Sequence, residues 1–103
     1  MDVVLTIEGQ TAFLAVNVAT VLDNINIIEE KLMDVMVSGA TRLEIDFTEC
    51  PQVSGTFIGK LIAFHSNFAE KNGEIEIVKC SKQVNDLFEL IKLDKVIKVQ
   101  CQT

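Results

Sequence analysis

A chain of 103 residues, 49% of them hydrophobic, can close one core by itself, so a single domain over 1–103 is expected without metal or cross-links. Fifteen Asp and Glu against nine Lys and Arg give a net charge of −6, with Arg42 and eight lysines scattered among the acids; this excludes nucleic acid, because neutralising phosphates takes clustered cations. No apolar run reaches the ~18 residues of a membrane span, and Met1-Asp2-Val3 has no basic signal-peptide start, so the expectation is a cytoplasmic protein, not inserted in a membrane, with a protein partner of basic surface.

In chain order, Val3-Val4-Leu5-Thr6-Ile7-Glu8 is rich in β-branched residues. Thr11-Ala12-Phe13-Leu14-Ala15-Val16 resumes the pattern after Gly9-Gln10, which predicts a hairpin with Gly9 at positive φ. From a cap at Asp23 or Asn24, the residues Ile25, Ile28, Leu32, Val35 and Met36 recur at helical spacing, and Ser38-Gly39 ends the helix. A strand follows from Thr41, its Leu43, Ile45 and Phe47 alternating with Glu44 and Asp46. Pro51, the only proline, stops ladder bonding beyond it, and Ser54 stands where it caps the next helix. That helix carries Ile58, Leu61, Ile62, Phe64, Phe68 and Ala69 on one face and closes at Asn72-Gly73.

Glu74-Ile75-Glu76-Ile77-Val78 alternates as a strand with one wet face, and Ser81 caps a third helix through Val84, Leu87, Phe88 and Ile91. Val96-Ile97-Lys98-Val99 reads as a short last strand. The order β-β-α-β-α-β-α-β predicts an α/β fold, a mixed sheet with helices packed on it through right-handed crossovers. Its core should hold Ile45, Phe47, Ile58, Leu61, Ile62 and Phe68.

The residues with chemistry converge weakly. Cys50, Cys80 and Cys101 are odd in number, widely spaced and without a Cys-x-x-Cys pair, and His65 is the only imidazole. Neither a disulfide nor a metal site is therefore expected. His65 falls inside the apolar face of the second helix with no Ser, Cys or Asp partner fixed by spacing, which makes it a packed structural residue. No phosphate-cradling glycine loop or nucleophile elbow is present, so no enzymatic activity and no cofactor are expected. What remains is a helix amino end at the tip of a buried strand, a place able to bind an anion, accept a phosphoryl group or dock a partner.

The stretches Leu43-Glu44-Ile45-Asp46-Phe47, Ile58-Gly59-Lys60-Leu61-Ile62-Ala63-Phe64-His65 and Lys71-Asn72-Gly73-Glu74-Ile75-Glu76-Ile77-Val78 resemble the STAS domain of bacterial anti-sigma factor antagonists. Val84, Leu87-Phe88 and Leu93-Asp94-Lys95-Val96 extend the resemblance, which covers the carboxyl two thirds; the first hairpin matches only in pattern. It implies a sheet flanked by helices, no catalysis, and a protein-docking surface around the turn and second helix, at Val53, Ser54, Gly55, Thr56 and Phe57. In that family the turn reads Asp-Ser-Ser-Gly before Leu-Gly, and a partner kinase phosphorylates the first serine. Anchoring on Ile58-Gly59 puts Gly55 at the phosphorylated position, with Ser54 at the Asp, Thr56 at the second Ser and Phe57 at the Gly; sliding the frame to align Ser54-Gly55 puts Val53 there. Neither has a hydroxyl. Ser54 and Thr56, which flank it, are the remaining phosphorylation candidates, although helix capping accounts for both. The family's glycine before the late leucine is Lys92 here.

Three functions fit the sequence. The first is an antagonist that binds a serine-kinase-like anti-sigma factor without the usual phosphorylation. The second is a non-switching STAS subunit of a larger assembly, such as a lipid-transport or sensory complex. The third is an anion- or nucleotide-binding module that uses the helix start at Gly55-Thr56.

Overall fold

The amino-terminal hairpin sets the edge of the sheet. Val3–Glu8 (β1) and Thr11–Val16 (β2) pair antiparallel from Val3↔Val16 to Glu8↔Thr11, and Gly9 turns the chain at φ +61°. A computed structural model of the chain describes residues 3–17, 22–48, 50 and 52–100, with the backbone alone for 22–24. Helix α1 runs Leu22–Ser38, and its Ile25, Ile28, Leu32 and Val35 are buried. It begins before the expected cap at Asp23 or Asn24, because the apolar period fixes the buried face but not the residue where the first turn closes. The true cap lies outside the described residues.

Strand β3 (Arg42–Phe47) lies parallel to β2 and to β4 (Glu74–Cys80), and β5 (Lys98–Val99) adds two residues parallel to β4. The sheet order is β1-β2-β3-β4-β5, so every parallel step moves to the next strand in one direction. Right-handed crossovers then place α1, α2 (Gly55–Glu70) and α3 (Lys82–Leu90) on the same face. Leu14, Leu43, Ile45 and Ile77 are buried beneath them, while Phe13 and Lys98 remain exposed. This is the mixed sheet with packed helices that the element order predicts.

The phase of α2 differs from the reading above. Its buried stripe is Phe57, Leu61, Phe64 and Phe68, spaced i, i+4, i+7 and i+11, with Ile58 partly buried against it and Ile62 41% exposed. Ile62 was expected in the core, but the helix rotates to bury Phe57, and the two residues lie on different faces. The helix ends on Asn72 at φ +64°, and Gly73 follows because the Phe68 ring takes its place: a Cβ there would meet ring carbons at 2.5 Å.

The carboxyl end also departs from the pattern. Leu93–Lys95 forms a 3-10 turn whose Leu93 carbonyl accepts from both the Val96 and Ile97 amides, so the last strand begins at Lys98 instead of Val96. Cys80 is disulfide-bonded, against the expectation of unlinked cysteines. Spacing alone carries no signal for a pairing that only the fold creates. No helix among the described residues is long and apolar enough to cross a membrane.

Lys92 takes the left-handed conformation, φ +62° and ψ +30°, just after α3. That backbone costs a side-chain-bearing residue about 1 kcal/mol relative to glycine. Lys92→Gly should therefore raise unfolding stability by about 1 kcal/mol, read from the midpoint of urea denaturation at unchanged slope.

Candidate functional site

The corner between β3 and α2 is built by side chains that reach inward. Thr48 N donates to Asp46 Oδ1 at 2.8 Å, and Cys50 N donates to the Phe47 carbonyl at 2.9 Å, which turns the chain off the end of the strand. The buried Cys50 thiol donates to the Gln52 carbonyl at 3.2 Å. Ser54 has extended backbone and caps the helix: its Oγ accepts from Phe57 N at 3.2 Å, while its carbonyl accepts from Ile58 N at 3.1 Å. Glu49 and Pro51 lie outside the described residues.

Beneath the corner, Phe47 meets Phe57 edge-on at 5.7 Å between ring centroids and Phe88 at 5.9 Å. The start of α2 and the last turn of α3 are thus fixed to one ring at the end of β3. This packing corrects part of the sequence reading. Val53 (8% exposed) and Phe57 (0%) were expected to offer apolar contact to a partner, but both are core residues. An apolar side chain next to a rigid corner fills the core before it fills an interface.

Exposed at the corner are Gln52, Gly55 and Thr56, with Ser54 half-buried. Along α2 the surface continues through Gly59, Ile62 and Ala63, none of which the sequence reading assigned to the site. The signal was available in Gly55 and Gly59: a glycine inside a helix costs roughly 0.5–1 kcal/mol relative to alanine. Neither has a structural use, since a Cβ at either position meets nothing within 4 Å, in contrast to Gly73. The first turn of α2 carries no acid, and its helix dipole is unopposed by side-chain charge.

Charge is concentrated at the opposite end of β3. Glu44 and Glu76 are Cα partners on neighbouring strands, a like-charged pair that the sheet alone would disfavour. Arg42 joins them, its Nε donating to Glu44 at 2.9 Å and its Nη2 to Glu76, with Glu74 at 3.5 Å from Nη1. Glu76 is thereby buried to 6% exposure, although its place in the alternation predicted a wet face. The hydrogen bond to Glu44, then that to Glu76, holds the guanidinium pKa above its ordinary value. His65 is half-buried and borders a cavity of about 290 Å³ beside this cluster, far along α2 from the corner. No group of three His, Cys, Asp or Glu among the described residues is placed to hold a metal ion.

Fold and site together define a one-sided α/β domain whose strand-to-helix corner exposes small, uncharged residues at the start of α2. The family model described as "Mlab, STAS domain" matches residues 4–99, and the chain belongs to that family. A search of curated sequences returns no match. Among solved structures, a putative anti-sigma factor antagonist from Thermotoga maritima superposes with a TM-score of 0.85 at 15% identity, covering 98% of this chain and 86% of the other. An anti-sigma factor antagonist from Mycobacterium paratuberculosis gives 0.84 at 14% identity, with 95% and 83% covered. The antagonist SpoIIAA in its unphosphorylated form gives 0.82 at 14%, with 98% and 88% covered. The chain is a STAS domain that resembles anti-sigma factor antagonists in fold.

The Ser54 cap generates a direct check. Ser54→Ala should lower unfolding stability by about 1 kcal/mol, because it leaves the Phe57 amide without its acceptor; chemical denaturation measures it.

Proposed function

We propose that this domain is a regulatory binding module that docks a protein, of the serine-kinase-like anti-sigma factor class or a related regulator, through the corner of β3 and α2. The contact surface is Gln52, Ser54, Gly55 and Thr56, continued by Gly59 and Ile62. The observation that carries this reading is the pair of exposed helical glycines. They weaken the helix, the core makes no use of them, and they form a smooth strip on which a partner backbone can approach closely, with Ile62 as an apolar contact at its end. The solved antagonists that share the fold support the class of partner.

Docking is also proposed to be independent of phosphorylation. Gly55 or, in the shifted frame, Val53 stands at the position aligned with the family's phosphorylated serine, and neither offers an acceptor, while the Ser54 hydroxyl is engaged in capping. A phosphoryl group adds roughly −1.5 to −2 charges at neutral pH; without it, release by added charge is lost and binding is constitutive. The same feature favours a second reading, in which the domain is a permanent subunit of a larger assembly and uses this surface without exchanging partners.

Gly55→Asp and Gly59→Ala test the proposal, because both should leave the fold intact. Each removes a helical glycine, and the aspartate also gains from the helix dipole, so stability should rise by about 0.5–1 kcal/mol. Affinity purification from the native host should nevertheless recover the wild type's partner at least about tenfold less with Gly55→Asp, a difference of about 1.4 kcal/mol in binding. A folded Gly55→Asp protein that keeps every partner overturns the surface. Mass spectrometry of the host's own protein should find Ser54 and Thr56 unmodified, and phosphate on either in a large fraction of molecules overturns constitutive docking.

A further inference from the structure

The seam between α1 and α2 opens into a groove of about 800 Å³ that the corner does not use. Its lining includes Leu32, Met33 and Met36 from α1 and Ala63 and Phe64 from α2. Met33 is 59% exposed and lies one turn from the partly buried Met36, so the apolar part of this lining is accessible from solvent. At one end Lys60 reaches across to Glu29 at 2.6 Å and neutralises it. Glu30 and Glu70, which also line the groove, form no ion pair among the described residues, and Lys71 is the only other cation in the lining.

From these observations we infer that the groove seats an amphipathic helix of a second protein, with Leu-type side chains on one face and Lys or Arg towards its ends. Its length fits: the lining runs from Asn26 to Met36 on one wall and from Lys60 to Lys71 on the other, about 15 Å at 1.5 Å per residue, or three helical turns. Its shape fits, because the groove is a partly open trough between two surface helices. An acyl chain laid there would keep one side in water, whereas a helix buries one face and leaves the other wet. Met33 and Met36, about one turn apart on α1, supply a soft floor that adapts to the partner's side chains. Its charge fits, because Glu30 and Glu70 await cations and the whole chain carries −6.

The test uses a fluorescein-labelled peptide of about fourteen residues, Leu and Lys arranged at helical spacing, against the same residues scrambled so that no apolar face forms. Fluorescence anisotropy on the full chain at physiological salt should show the amphipathic peptide binding at least about tenfold tighter than the scrambled one. Met33→Asp should weaken it by about tenfold or more, at an unchanged denaturation midpoint because Met33 is exposed. The double variant Glu30→Lys with Glu70→Lys should weaken the Leu-Lys peptide and admit a Leu-Glu peptide instead. Gly55→Asp should leave all of these unchanged, which separates this groove from the corner. Equal binding of the scrambled peptide overturns the proposal as mere charge attraction. Insensitivity to Met33→Asp overturns it as well. A fluorescent fatty acid that occupies the groove more tightly and displaces the peptide overturns it in favour of a lipid.

Discussion

Everything at the candidate site depends on one ring. Phe47 closes the central strand of the sheet, and Phe57 and Phe88 meet it edge-on from two different helices. Aromatic pairs of this geometry contribute roughly 0.5–1.5 kcal/mol each beyond the area they bury. Their greater effect is positional. They fix where α2 begins and which way it faces, and the Ser54 cap then satisfies the Phe57 amide of the first turn. The exposed corner stands directly on this aromatic packing.

That arrangement divides the domain's polar chemistry between the two ends of β3. At the start of the strand, Arg42 holds Glu44 and Glu76 together and makes a buried carboxylate tolerable. At its end the exposed residues of the helix start are small and carry no charge, presented on a helix amino terminus. The first cluster is satisfied internally and serves the fold. The second leaves backbone close to solvent with no internal purpose, which is the condition a docking surface needs.

The order of elements was readable because each carries its period: alternation in β2, β3 and β4, and 3.6-residue spacing in α1 and α3. The phase of α2 was not. Ile58, Leu61 and Ile62 satisfy a helical face as well as Phe57, Leu61 and Phe64 do, and the choice is made by Phe47, a residue ten positions earlier in sequence and adjacent only in space. For the same reason Val53 and Phe57 read as surface contacts and proved to be core, while Ile62 read as core and proved to be exposed, and Gly59 went unassigned. Lys92 hid a left-handed turn, because the usual marker is glycine. Glu76 hid its burial, because its neutralising partner comes from the next strand. Local rules gave the elements; long-range packing decided which face of each one was left for function.

The most direct measurement is site-specific photo-crosslinking in the native host. A photoreactive residue can be placed at exposed position 59, where a Cβ meets nothing within 4 Å. The same residue at Lys82, exposed at the start of α3, serves as the comparison. The account predicts a discrete protein adduct from position 59 and none from position 82. An adduct confined to position 82, with position 59 silent in a folded protein, contradicts it.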